Sequence, residues 1–221
     1  MQEEIIRKNF LQIQEEIAPY SLNIIAVTKY FDESAIEAAY RVGLRNFGES
    51  RAVEAVEKIQ RLSDELKKNS KFHFIGHLQT NKVKKVIGTF DLIHSVDSYK
   101  LAEVISEEAL KYGKVQDILL QLNNAGEVQK FGYSKEHLFE DFPKIKALKG
   151  VNVRGLMNMA PLGADDKTLE SLFTDVVSVR DELQNKFYCE LKDISMGMSQ
   201  DYKIAARCGS TMLRIGRKLF E

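Results

Sequence analysis

Short apolar segments alternate with helical ones along the whole chain, and this alternation leaves few folds open. The apolar segments are Asn23–Thr28 (NIIAVT), Arg45–Gly48, Phe72–Ile75, Asp91–Ser95, Asp117–Leu122, Val151–Met157, Leu191–Met196 and Met212–Ile215. Helical patterns separate them. Ser34–Glu37 reads as a capping box opening a helix that Gly43 stops. Ala52–Leu66 carries an apolar stripe at Val53, Val56, Ile59 and Leu62, and Asp166–Phe187 carries one at Leu169, Leu172, Phe173, Val176 and Leu183. A further helix over Glu3–Glu16, closed by Pro19, precedes the first strand. Pro143–Leu148 reads as a turn or two added to a helix over Ser134–Phe142. Between that helix and the fifth strand lies a polar, glycine-bearing loop, Asn123–Tyr133. Eight such units predict a parallel sheet with helices outside it: a closed (β/α)8 barrel or an open doubly wound sheet. No GxGxxG follows the first strand, which argues against the dinucleotide-binding version. No linker or shift of composition interrupts the pattern, so residues 1–221 read as a single domain.

Composition excludes several classes of partner. Lys plus Arg balances Asp plus Glu at 32 each, so no overall field draws the chain to nucleic acid or to acidic lipid. The two cysteines, Cys189 and Cys208, have no metal or redox spacing, and the four histidines are scattered. The start, MQEEIIRKNF, is charged and amphipathic rather than a signal peptide, and no apolar run is long enough to span a bilayer. A cytoplasmic protein is the expectation.

In a barrel, functional groups collect at the C-terminal ends of the strands. Those ends carry Lys29, Gly48 to Arg51, Gly76 to Gln79, Ser95 to Asp97, Gln121 and Asn123, Asn158 and Met159, Gly197 to Ser199, and Arg214 to Arg217. Lys29 ends an apolar strand, and alternation puts it on the face of Ile25 and Val27. Pointed into a barrel mouth, such an amine can attack a carbonyl. Taken alone, it also reads as a lysine that flanks a strand and reaches water. The stretch Ile194–Gly216 holds two turns of small residues, around Gly197 and Ser199 and around Gly209 and Ser210, with a short helix starting near Gln200 between them. Turns of this kind leave backbone N–H groups bare for an anion. Arg214 then stands inside an apolar strand. Barrel closure makes the first and eighth strands neighbours. It brings Lys29 beside Ser199 and Arg214, where phosphate sites of such barrels lie. A carbonyl-condensing lysine, an anion cradle and an arginine together describe a pyridoxal 5′-phosphate site. His77, Gln79, Asn81 and Lys82 are candidates for the rim, while His73 reads as a satisfied strand residue.

These pieces resemble the pyridoxal phosphate homeostasis family, also called the proline synthase co-transcribed family. The likeness runs over the whole chain, through AVTK (Ala26–Lys29), FGESR (Phe47–Arg51), FHFIGHLQTNKV (Phe72–Val83), HSVDS (His94–Ser98), RGLMNMAP (Arg154–Pro161), ISMGMSQDY (Ile194–Tyr202) and GSTMLRIG (Gly209–Gly216). The resemblance implies a barrel similar to the N-terminal domain of alanine racemase, of the fold type III class that binds pyridoxal phosphate. It implies a cytoplasmic protein holding that cofactor as an internal aldimine on Lys29. Ser199 and the backbone of Gly216 and Arg217 are implied to hold the phosphate, and Arg214 to face the pyridine nitrogen. Ser50 and His77 are implied to lie near the cofactor, with Ser50 standing where the family usually has asparagine.

Physical reasoning separates enzyme from carrier. Racemisation removes a proton from one face of a carbon and returns it on the other, which usually takes two bases. The chain ends at Glu221, six residues past Ile215, so no second domain is expected to supply the other base. An arginine opposite the pyridine nitrogen disfavours its protonation and weakens the cofactor as an electron sink. The expectation is therefore a monomeric handler of pyridoxal phosphate that serves dependent apoenzymes. The alternatives are a weak amino-acid racemase and a cofactor-free Schiff-base aldolase.

Overall fold

A computed structural model describes residues 2–126 and 131–221. Eight strands form a closed parallel barrel in sequence order. They are β1 (Asn23–Val27), β2 (Asn46–Glu49), β3 (Lys71–Phe74), β4 (Leu92–Val96), β5 (Gln116–Leu122), β6 (Val151–Asn158), β7 (Asp193–Met198) and β8 (Met212–Ile215). The ring closes where β8 pairs with β1, with Ile25 opposite Arg214 and Ala26 opposite Ile215. The doubly wound alternative is thereby excluded.

The helices α1 (Gln2–Glu16), α2 (Glu33–Val42), α3 (Ala52–Arg61), α4 (Asp64–Lys68), α5 (Val83–Val86), α6 (Tyr99–Lys111), α7 (Lys135–Lys146), α8 (Asp166–Phe187), α9 (Tyr202–Arg207) and α10 (Arg217–Phe220) surround it. Several differ from the sequence expectation for local reasons. Asp32, not Ser34, caps α2, because its carboxylate accepts the Ser34 N–H at 3.1 Å. Gly43 ends that helix as expected, at φ 111°. The helix expected over Ala52–Leu66 is broken in two. Leu62 is extended, and Ser63 caps α4 by accepting the Leu66 N–H. The buried face of α3 is Ala55, Lys58 and Ile59, while Val53 is exposed. The added turn after Phe142 is there as expected, since α7 runs on through Pro143 to Lys146. Of the loop after β5, residues 127–130 lie outside the described residues. Tyr133 returns to the sheet, its N–H donating to the Gln121 carbonyl at 2.8 Å. No helix among the described residues is long and apolar enough to cross a membrane.

Alternation along the strands splits the apolar residues into two bodies. Phe47, Phe72, Phe74 and Ile93 join Ile36, Ile59, Ile105, Phe142 and Phe173 of the helices in the main core. Burial of each such side chain contributes about 1.5–3 kcal/mol. Ile25, Leu92, Leu119, Met157 and Met212 form a separate, smaller cluster. Branched apolar residues normally fill a barrel of this kind. Here Asn46, His73, His94, Ser195 and Arg214, from the same alternating face of their strands, are joined by hydrogen bonds instead.

The tightest close approach of backbone on a glycine is at Gly155. Gly155 of β6 lies opposite Asp193 of β7, and a Cβ on it would sit 1.7 Å from the Asp193 carbonyl oxygen. Only a shift of backbone could relieve that contact. Gly155→Ala is therefore expected to cost about 3 kcal/mol, read as a lowered urea midpoint. A midpoint equal to that of the unchanged protein would show that β6 and β7 are less closely apposed than described.

Candidate functional site

A cavity of about 590 Å3 opens at the C-terminal ends of the strands, within the size range of small-molecule sites. Val27 and Lys29 line it from β1, residues 159–164 from the loop after β6, Met198 to Asp201 from β7, and Arg214, Gly216 and Arg217 from β8. Its rim is apolar and open to water at Tyr30 (72% exposed) and Leu162 (83% exposed).

Lys29 is half-buried, with its ammonium 5.0 Å from the centre of the Tyr30 ring. Its position is set by the residue before it. The Thr28 N–H donates to the Gly48 carbonyl at 3.0 Å, and the Thr28 hydroxyl donates to Glu49 Oε1 at 2.7 Å. Lys58 of α3 donates to the Thr28 carbonyl at 2.9 Å and to the same Glu49 oxygen at 2.7 Å. Thr28 and Glu49 are 0% and 2% exposed, so this is a desolvated ion pair with its hydrogen bonds made. It fixes the end of β1 and leaves the lysine side chain as the adjustable part.

Arg214 is 4% exposed. Its Nη1 donates to Ser195 Oγ at 2.6 Å and its Nη2 to the Asn158 carbonyl at 2.8 Å. Burial lowers its pKa to about 10, opposed by the field of Asp201. The guanidinium therefore remains charged at neutral pH. Asp201, whose own pKa burial raises, accepts the Met198 N–H and shapes the turn after β7. Gly197, near the end of β7 just before that turn, has φ +94°, and a Cβ there would lie 2.5 Å from the Ala205 methyl of α9. The strand end thus packs tightly on that helix. Ser199 follows, its hydroxyl accepting the Lys218 N–H at 3.3 Å. That contact sets Ser199 against the start of α10, whose N-cap is Gly216.

The structure brings Lys29, Ser199, Arg214, Gly216 and Arg217 together around one cavity. Ser50 and His77 are not among the residues that line it. The His77 ring stacks on Phe131 with centroids 3.5 Å apart, and its Nδ1 lies 3.3 Å from Asp97. Gln79, Asn81 and Lys82 are exposed beside it. The short helix after β7 begins at Tyr202 rather than near Gln200.

Sequence reasoning did not find Lys58, His94 or Ser195. Lys58 stands three residues after Ala55, on the face α3 buries, and that spacing was the available signal. His73 is satisfied inside the protein as expected, but by another histidine: its Nδ1 is 3.0 Å from His94 Nε2. Burial lowers the pKa of His73 to about 4 and that of His94 well below its ordinary value, the latter helped by the neighbouring His73 and Arg214. A histidine pKa depressed on folding gives stability that is present above about pH 6.5 and lost as the pH falls toward the folded value. Acidification from about pH 7 to about pH 5 is expected to cost about 2 kcal/mol through His73 alone. Urea unfolding at the two pH values checks this, and equal stabilities would refute the buried, neutral state.

A barrel with this lysine, arginine and turn geometry defines a class. The family model described as alanine racemase, N-terminal domain, matches residues 2–220. The pyridoxal phosphate homeostasis protein of Synechocystis sp. is 38% identical over 202 residues, 91% of this chain and 92% of that protein. The protein of the same name from Aquifex aeolicus is 38% identical over 197 residues, 89% of this chain and 85% of its own length. The chain belongs to the family of pyridoxal phosphate homeostasis proteins. Among solved structures, PipY of Synechococcus elongatus with PLP bound has a TM-score of 0.89 and 35% identity, covering 98% of this chain and 100% of that one. Diaminopimelate decarboxylase of Helicobacter pylori, at 14% identity and a TM-score of 0.78, shares the barrel fold.

Proposed function

We propose that this chain binds pyridoxal 5′-phosphate through Lys29 and serves its supply within the cell, without robust turnover of its own. The observation that carries the reading is the convergence of a primary amine, a charged guanidinium and a hydroxyl-bearing turn on one 590 Å3 cavity. The donor set suits the cofactor's three functional parts. Its chemistry is that of an aldehyde conjugated to a pyridine ring, which a primary amine captures covalently. Lys29 is the amine. Ser199 and the backbone of Gly216 and Arg217 are the phosphate holders, at the ends of β7 and β8 where such barrels bind phosphate. Arg214 faces the ring nitrogen. A buried, charged guanidinium only donates hydrogen bonds, so it leaves that nitrogen unprotonated and withholds the electron sink that carbanion chemistry needs. The likeness to relatives named for pyridoxal phosphate homeostasis, and to PipY with PLP bound, supports the same reading.

The open rim at Tyr30 and Leu162 suits a protein that exchanges its ligand rather than one that shields a reaction from water. The recipients are pyridoxal-phosphate-dependent apoenzymes, and the chain acts as a cytoplasmic monomer. Incubation with pyridoxal phosphate is expected to give a yellow protein. Borohydride should then fix a phosphopyridoxyl mass on the peptide containing Lys29. Lys29→Ala should keep the fold and lose the label. A colourless, unlabelled protein would overturn the proposal. Rapid exchange of amino-acid Cα protons with solvent deuterium would overturn the carrier role in favour of a racemase.

A further inference from the structure

Five polar side chains from five strands meet inside the barrel: Asn46 of β2, His73 of β3, His94 of β4, Ser195 of β7 and Arg214 of β8. His73 Nε2 lies 3.1 Å from Asn46 Oδ1, and His73 Nδ1 lies 3.0 Å from His94 Nε2. His94 Nδ1 lies 2.9 Å from Ser195 Oγ, which lies 2.6 Å from Arg214 Nη1. His73 is 5% exposed, Arg214 4%, and His94 and Ser195 0%.

The Asn46 end of this chain fixes its direction, and the Arg214 end agrees with it. A guanidinium only donates, and an amide oxygen only accepts. Asn46 Oδ1 therefore accepts a hydrogen bond from His73 Nε2–H, which in the neutral ring leaves His73 Nδ1 as an acceptor. His94 Nε2–H must donate to it, which leaves His94 Nδ1 as an acceptor in turn. Ser195 O–H must donate to that nitrogen, and its oxygen then receives the Arg214 N–H. Both histidines are neutral Nε2–H tautomers, and every hydrogen bond points from Arg214 toward Asn46. A proton added at His73 Nδ1 would set two N–H groups against each other, and one added at His94 Nδ1 would oppose the Ser195 O–H.

We infer that Asn46, His73, His94 and Ser195 form a one-way hydrogen-bond relay that holds the Arg214 guanidinium in place, with Ser195 and the two histidines as positioning residues for the group Arg214 meets in the cavity. Packing alone does not require it, since branched apolar side chains fill such interiors without the desolvation cost of polar groups. Ser195 is the joint. Its hydroxyl accepts from the arginine and is thereby turned to donate to His94. With the Asn158 carbonyl on Nη2, it gives the guanidinium two anchors that define its plane. The identity of the group Arg214 meets, a pyridine nitrogen, rests on the reading of the site proposed above. The direction of the relay does not.

Nitrogen-15 NMR of the cofactor-free protein reads the relay directly. Both histidines are expected as single Nε2–H tautomers from about pH 6 to about pH 8. An Nδ1–H tautomer, a mixture, or a protonated ring in that range would overturn the inference. In Ser195→Ala, where the Asn46 end is intact, both histidines should keep the Nε2–H tautomer, and a change of tautomer there would overturn the direction assigned. If Ser195→Ala does not fold, Asn46→Leu tests the other end, where His73 should become a mixture. With pyridoxal phosphate bound, Ser195→Ala should shift the visible absorption band and Ser195→Thr should return it. An unshifted band in folded Ser195→Ala would refute the positioning role. A protein that takes up no pyridoxal phosphate would sink the reading of the site, while the tautomers in the free protein would still decide the relay.

Discussion

The pairing of β8 with β1 is the constraint on which the rest depends. In an open sheet these strands would be separate elements with unpaired edges, and Lys29 and Arg214 would have no reason to meet. Closure satisfies both rows of backbone groups and leaves no edge to blunt. It also sets Ile25 opposite Arg214. From there the lysine's place follows, because Lys29 is four residues up the same strand face from Ile25. The neighbouring ends of β7 and β8 contribute the turn at Ser199 and the step into α10. The site is thus a by-product of how a barrel must close, furnished with particular side chains.

Those side chains carry a cost. Burying a guanidinium opposes folding, and the depressed pKa of Arg214 records that penalty. The compensation is local: a hydroxyl, a backbone carbonyl and the field of Asp201. Two histidines kept neutral extend the network without adding charge. An apolar interior would be cheaper, so the polar one marks where stability is traded for a defined cation at the cavity.

Much of this was legible in the sequence. The strand–helix alternation carried the fold class because each unit has the hydrophobic period of its own element. Lys29, Ser199 and Arg214 were legible because each stands at a strand end or breaks an apolar run. The network behind Arg214 was not. Ser195, which it bonds, and His94 beyond are ordinary-looking members of their strands, and which strands face each other across a barrel depends on tilt and shear, not on local pattern. The break in Ala52–Leu66 was hidden for a different reason. Ser63 caps a new helix, and a serine inside an amphipathic stretch is equally compatible with continuity. Lys58 was missed because a charged residue at helical spacing normally reaches water, and only the facing Glu49 and Thr28 carbonyl make burial tolerable.

The clasp of Lys58 on Thr28 and Glu49 has one more consequence. It ties the end of β1, and so the backbone that carries Lys29, to a helix of the outer shell. Whatever attaches to that lysine is thereby coupled to the α3 sector. A ligand that binds only the assembled form stabilises the sector by mass action, and a sector that opens releases its claim on the ligand. A ligand held by Lys29 would therefore steady this flank of the barrel, and local opening there would weaken the hold on it, two linked equilibria.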